Sequence, residues 1–159
     1  MNPRRPFTAL LAVLATVLLV STGVGRADTS VGLHGGFSSS PDQFIVGPHV
    51  NLAPVADNLY IVPSGEVGFG DHAFTMAFNG DLQYRFVVHR SKVRPYAGGG
   101  LSVYFVDPEG LGGSDTHMGA DILGGMFFGK LNRRPMFVDV KLGLTTEVPD
   151  WKFQFGFEF

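Results

Sequence analysis

The chain has 159 residues, a formal net charge of −2, 16% charged residues and no cysteine. The missing Cys removes disulfides, thiolate chemistry and a lipoprotein anchor, and the scattered bases under a negative balance argue against nucleic acid as a partner, which would need clustered Lys and Arg. The charged fraction is well under the ~25% usual for soluble domains, while 22 Gly, 15 Phe, 4 Tyr and one Trp push the composition toward strands and tight packing.

At the start of the chain, Arg4 and Arg5 precede an apolar run from Phe7 to Val20, and small residues follow to Gly25-Arg26-Ala27. That order fits a secretory signal peptide and predicts one over residues 1–27, with cleavage after Ala27. The competing reading is an uncleaved membrane helix, because Phe7 to Gly25 is nearly long enough to span. Residues 28–159 then make one domain. Beyond the leader no apolar stretch approaches 18 residues, so any membrane crossing belongs to a closed sheet and not to helices.

Period-two alternation bounded by turn signals predicts eight strands. They run over Ser30 to Phe37, Gln43 to Leu52, Leu59 to Phe69, Ala73 to Val88, Val93 to Phe105, Thr116 to Gly129, Pro135 to Thr146 and Trp151 to Phe159. Most reach the ~9–11 residues that cross a membrane at a tilt. The connections carry Gly, Pro, Asn or Asp, or a basic group such as Arg90-Ser-Lys92 and Arg133-Arg134. Gly98-Gly-Gly100 and Gly124-Gly125 fall inside strands, where a narrow cylinder needs sharp bending. No strand-to-helix transition follows them, so they do not read as a phosphate-cradling loop.

The last strand alternates without a break: Trp151, Phe153, Phe155, Phe157 and Phe159 against Lys152, Gln154, Gly156 and Glu158. Five aromatic rings on one face suit a strand whose outer side meets lipid. This segment resembles the C-terminal strand of bacterial outer-membrane β-barrels, in which a final Phe preceded by alternating aromatics is the assembly signal read by the barrel-insertion machinery. The resemblance implies the all-β, eight-stranded, antiparallel up-and-down transmembrane barrel of the small OmpA-like and OmpX-like class. It also implies the bacterial outer membrane as location, with outer-membrane lipid and the assembly machinery as partners. An even strand count returns both termini to one side, the periplasm in such barrels, so the first, third, fifth and seventh connections face outward.

Inner strands have two faces. Phe74, Met76, Phe78, Leu82, Tyr84, Phe86 and Val88 oppose Thr75, Ala77, Asn79, Asp81, Gln83 and Arg85. Likewise Val93, Pro95, Ala97, Leu101, Val103 and Phe105 oppose Arg94, Tyr96, Ser102 and Tyr104. Either the apolar face meets lipid, or it is the core of a soluble lipocalin-like barrel or sandwich that binds an apolar ligand. A solvated face carries many Lys and Glu, whereas this polar face mixes sparse charges with Gly, Ala, Ser and Asn, which favours a cramped interior. Tyr60 stays open to either side.

With that phase, the interior holds Glu66, Asp81, Arg85, Arg94, Asp121, Asp139, Lys141, Lys152 and Glu158, acids and bases nearly balanced. Enclosed charges must be paired or hydrated, so the expectation is a salt-bridged network, with Arg85 and Arg94 reaching acids such as Glu66. An eight-stranded barrel is only wide enough for side chains, which disfavours a pore. The five His residues (His34, His49, His72, His89, His117) match no zinc spacing; His34 and His49 are expected as luminal neighbours that hydrogen-bond. His89-Arg90-Ser91 has the His-x-Ser spacing of outer-membrane lipid A deacylases, but it falls in a predicted periplasmic turn with no suitable Glu after it. His72 or His117 with Asp71 or Asp115 and Ser114 imitates the set of a palmitoyltransferase-type barrel, and ordinary polar loop tips explain these residues as well. The sequence reading is a monomeric barrel with no catalytic site, metal or cofactor, in a structural, envelope-stability or surface-interaction role; the alternatives are the soluble ligand-binding barrel and a lipid-modifying enzyme.

Overall fold

The computed structural model describes residues 29–40, 42–70, 73–108, 115–131 and 134–159. The leader expected at residues 1–27 lies outside the described residues, as do Asp71, His72, Ser114 and Arg133. Eight strands follow one another: β1 Ser30–Ser38, β2 Gln43–Asn51, β3 Leu59–Gly70, β4 Ala73–Arg85, β5 Arg94–Pro108, β6 Asp115–Leu131, β7 Arg134–Gly143 and β8 Trp151–Glu158. Each pairs antiparallel with its sequence neighbours, and β8 closes on β1. Closure pairs both edges of every strand, so no row of backbone donors and acceptors is left open.

Two strands end three residues earlier than their alternation suggests. β4 stops at Arg85 and not at Val88. Beyond it Phe86 N–H donates to Pro95 C=O at 2.9 Å, and Pro95 has no N–H to return a bond. β7 stops at Gly143 and not at Thr146. The chain turns there so that Val148 is buried against Ala77 and Tyr104 in the mouth of the barrel.

The faces are opposite to those of a water-soluble barrel. Leu33, Phe37, Phe44, Phe69, Phe78, Leu82, Leu101, Met118, Ile122, Phe153 and Phe155 point outward and are exposed, with Leu101 at 71% and Met118 at 69%. Glu66, Asp81, Asp121, Asp139, Lys141, Lys152 and Glu158 are buried inside.

The interior accommodates these side chains because glycine stands opposite many of them. On the inner face Gly100 is the register partner of both Asp81 and Asp121, and Gly125 of both Tyr96 and Asp139. A Cβ on Gly100 would lie 2.4 Å from Asp81 Oδ1 and 2.9 Å from Asp121 Oδ1. Gly100 on β5 and Gly125 on β6 therefore supply lumen volume.

Candidate functional site: the barrel lumen

Polar side chains fill the middle of the lumen in linked groups. Lys141 Nζ on β7 donates to Asp81 Oδ2 on β4 at 2.6 Å. Lys152 Nζ on β8 donates to Glu66 Oε2 on β3 at 2.6 Å, and Gln154 Nε2 donates to the other oxygen of Glu66 at 2.8 Å. These strands face each other across the cylinder and share no backbone ladder. Alternation puts both members of each pair inward, and closure brings them together.

A second group runs around the wall. Asn79 Nδ2 donates to Ser64 Oγ at 3.1 Å. The Ser102 hydroxyl sits 2.8 Å from Asn79 Oδ1 and 3.1 Å from Asp121 Oδ2, two acceptors for one proton. Tyr96 donates its phenol to Asp139 Oδ2 at 2.7 Å. His34 and His49 meet through their Nδ1 atoms at 3.4 Å, and His34 Nε2 lies 3.5 Å from Glu66 Oε1. The two imidazoles are thus neighbours within a hydrogen-bonded group. Among the described residues no cluster of three or more His, Cys, Asp or Glu has a metal-holding arrangement.

The end that carries both termini is closed by rings. Tyr96, Leu123, Phe127 and Phe137 form a buried apolar cluster. The Arg85 guanidinium lies over Tyr60, 4.0 Å from its centroid, and over Phe127 at 4.5 Å. Its Nη2 also donates to Asn51 Oδ1 and, at 3.3 Å, to Gln83 Oε1. Asn51 in turn donates to Glu158 Oε1 at 2.7 Å. Tyr60 therefore belongs to the inner face.

Two sequence expectations are corrected here. Arg94 is exposed at the start of β5, with its guanidinium 5.9 Å from the Phe127 centroid, and is not an interior residue. Neither Arg94 nor Arg85 partners Glu66, whose cation is Lys152. The phase of β5 does point Arg94 inward, but its place at the strand end lets the long side chain reach out of the barrel. The interior balance moves accordingly: Glu66, Asp81, Asp121, Asp139 and Glu158 stand against Lys141, Lys152 and the half-buried Arg85.

Sequence reasoning put Asn79, Gln83, Tyr96, Ser102 and Gln154 on the polar faces but counted only charges in the network, and it did not place the plug residues Leu123, Phe127 and Phe137. The same alternation contained the signal, since Tyr96 stands two residues after Arg94, Gln154 two after Lys152 and Phe137 two before Asp139.

Among the described residues considered for catalysis, Ser91 and His117 each have another partner. Ser91 Oγ accepts from Val93 N–H at 3.0 Å inside the β4–β5 turn, with Arg90 at φ 65°. His117 Nδ1 lies 2.5 Å from Glu147 Oε2 at the opposite mouth.

Comparison with solved structures places this fold. The N-terminal β-barrel domain of Pseudomonas aeruginosa OprF superposes with a TM-score of 0.66 at 16% identity, covering 82% of this chain and 96% of that one. Neisserial surface protein A (NspA) superposes with a TM-score of 0.55 at 14% identity, covering 82% of this chain and 91% of its own. No protein-family model and no curated protein sequence matches the chain. The fold is that of the small outer-membrane β-barrels.

Proposed function

We propose that the protein is a monomeric integral barrel of the bacterial outer membrane with a structural, envelope-stability or surface-interaction role and no catalytic or cofactor chemistry. One observation carries the reading: large apolar side chains cover the outside while paired charges fill the inside. In water that arrangement exposes the surface that should be buried and desolvates ions that could be solvated; in a bilayer the apolar outside matches its surroundings and the interior is the least costly place for the charges. The soluble lipocalin-like alternative requires an apolar interior for its ligand, which the buried Asp, Glu and Lys side chains oppose.

Several features support the finer points. The aromatic plug and the cross-lumen ion pairs support a non-porous interior. The closed ladder, which leaves no free strand edge, supports a monomer. Trp151, Phe153, Phe155 and Phe159 lie exposed along β8, as a lipid-facing strand and an assembly signal would require. Arg85, Arg90, Lys92, Arg94 and Arg134 lie toward the end of the termini, which this reading assigns to the periplasm.

Expression of the full chain in a Gram-negative host, followed by membrane fractionation and gel migration before and after boiling, tests the proposal. Outer-membrane recovery with heat-modifiable migration is expected. Recovery in the periplasm without detergent would overturn it.

A further inference from the structure

At the mouth away from the termini the lumen widens into a cavity of about 250 Å³. Its floor is the Lys152–Glu66 ion pair, with Lys152 Nζ also 4.9 Å from the centroid of the Tyr104 ring. Its upper wall is the β7–β8 connection, which contributes Thr146, Glu147 and Pro149. This volume equals roughly eight waters at ~30 Å³ each, far more than a packing defect and close to the size of a hexose with its first water contacts.

The chemistry of the wall selects among ligands. Among the described residues lining the cavity, the Lys152 ammonium already has Glu66 at 2.6 Å, and the Glu147 carboxylate already has His117 Nδ1 at 2.5 Å. A charged ligand at the floor would have to break the buried Lys152–Glu66 pair, which strands the partner charge. Hydroxyl groups of a neutral ligand would instead use the capacity that remains. Thr75 Oγ1 donates to Gln43 Oε1 at 2.6 Å and Ser40 Oγ to Asp150 Oδ2 at 3.0 Å, so each oxygen still accepts. Thr146 is exposed. Ile45, Val106 and Pro149 alternate with these groups along the wall and suit C–H faces.

We propose that this mouth cavity is a binding site for a neutral polyhydroxylated molecule of monosaccharide size. The site lies inside the cylinder, so it goes beyond the membrane reading and does not depend on it. For about a dozen heavy atoms, the usual yield per atom gives a dissociation constant on the order of 1 mM.

The test uses the full chain purified in detergent, ¹⁵N-labelled, and titrated with D-glucose, D-galactose and N-acetyl-D-glucosamine, with L-glutamate and L-lysine as charged controls. Saturable amide shifts confined to the cavity wall, including Thr75, Val106 and Thr146, are expected with at least one of the sugars. Either amino acid should bind at least about a hundredfold more weakly than the sugar, or not at all, the loss that breaking a buried ion pair implies. Val106→Trp, which fills the space, should remove the response. Thr146→Val, at an exposed position where folding is not at risk, should weaken it severalfold. Absence of saturable shifts up to about 100 mM sugar, an equal response to the amino acids, or undiminished binding by Val106→Trp would each overturn the site. Heat-modifiable migration of the same samples reports barrel formation, so a folded barrel that fails to bind sinks this inference and leaves the membrane reading standing.

Discussion

Lys141 and Asp81 are 60 residues apart in sequence and sit on strands that share no backbone hydrogen bonds, yet the Lys141 ammonium lies 2.6 Å from an Asp81 carboxylate oxygen, both side chains buried. Removing one partner leaves the other charged and desolvated. Lys141→Met is therefore expected to cost ~3–5 kcal/mol, and the double change Lys141→Met with Asp81→Leu to recover most of that loss. Urea unfolding in detergent measures both. A double variant as unstable as the single would mean that the two charges are not coupled.

Glycines on the two faces should respond in opposite ways. An added Cβ at Gly100 meets Asp81 Oδ1 and Asp121 Oδ1, whereas one at outward-facing Gly80 meets nothing within 4 Å. Gly100→Ala is expected to destabilise by about 1–3 kcal/mol through overpacking. Gly80→Ala should be neutral or stabilising by about 0.5–1 kcal/mol, because it restricts the unfolded chain. Melting or urea midpoints of the pair decide the matter, and equal losses at both positions would contradict the assigned faces.

Leu101 stands in the middle of β5, is 71% exposed and pairs with Gly80 and Ala120. If its surroundings are hydrocarbon, Leu101→Lys costs ~2–4 kcal/mol in a lipid bilayer, whereas Val55→Lys, in the β2–β3 connection at the barrel end, costs ~0–1 kcal/mol. Folding equilibria in vesicles provide the comparison. In water the two substitutions would be alike.

Phe159 closes the outer aromatic row, and its N–H donates to Val31 C=O at 2.7 Å. The Arg134 guanidinium lies 4.5 Å from its ring centroid, a contact of ~0.5–1 kcal/mol. Deletion of Phe159 should therefore cost only about 1 kcal/mol in purified, refolded protein. If the residue serves as an assembly signal, the same deletion removes most of the outer-membrane recovery in cells, while Arg134→Ala leaves recovery intact. Parallel losses in both assays would reduce Phe159 to an ordinary packing residue.

The eight strands were legible because alternation is a local property. Phe74 to Val88 and Trp151 to Phe159 show their two faces to any reading of period two, and turn residues mark most strand ends. The misread ends had non-local causes. β4 stops where Pro95, on another strand, cannot donate, and β7 stops where Val148 finds a buried place against Ala77 and Tyr104.

The sequence by itself determined which side chains share a face, and its aromatic row and sparse charges favoured the apolar face as the outer one, which the exposed apolar side chains of the closed barrel then established. Phase along a strand is set by the backbone's period of two and needs no knowledge of neighbours. It carries no information on depth or on partners across the cylinder. Only closure of β8 onto β1, with the register of all eight ladders, placed Lys152 against Glu66 and Lys141 against Asp81, left Arg94 outside the mouth, and put Gly100 and Gly125 opposite the bulkiest polar groups. Those contacts join residues far apart in the chain, and their geometry is fixed by strand tilt and stagger around a closed sheet, which no local stretch of sequence encodes.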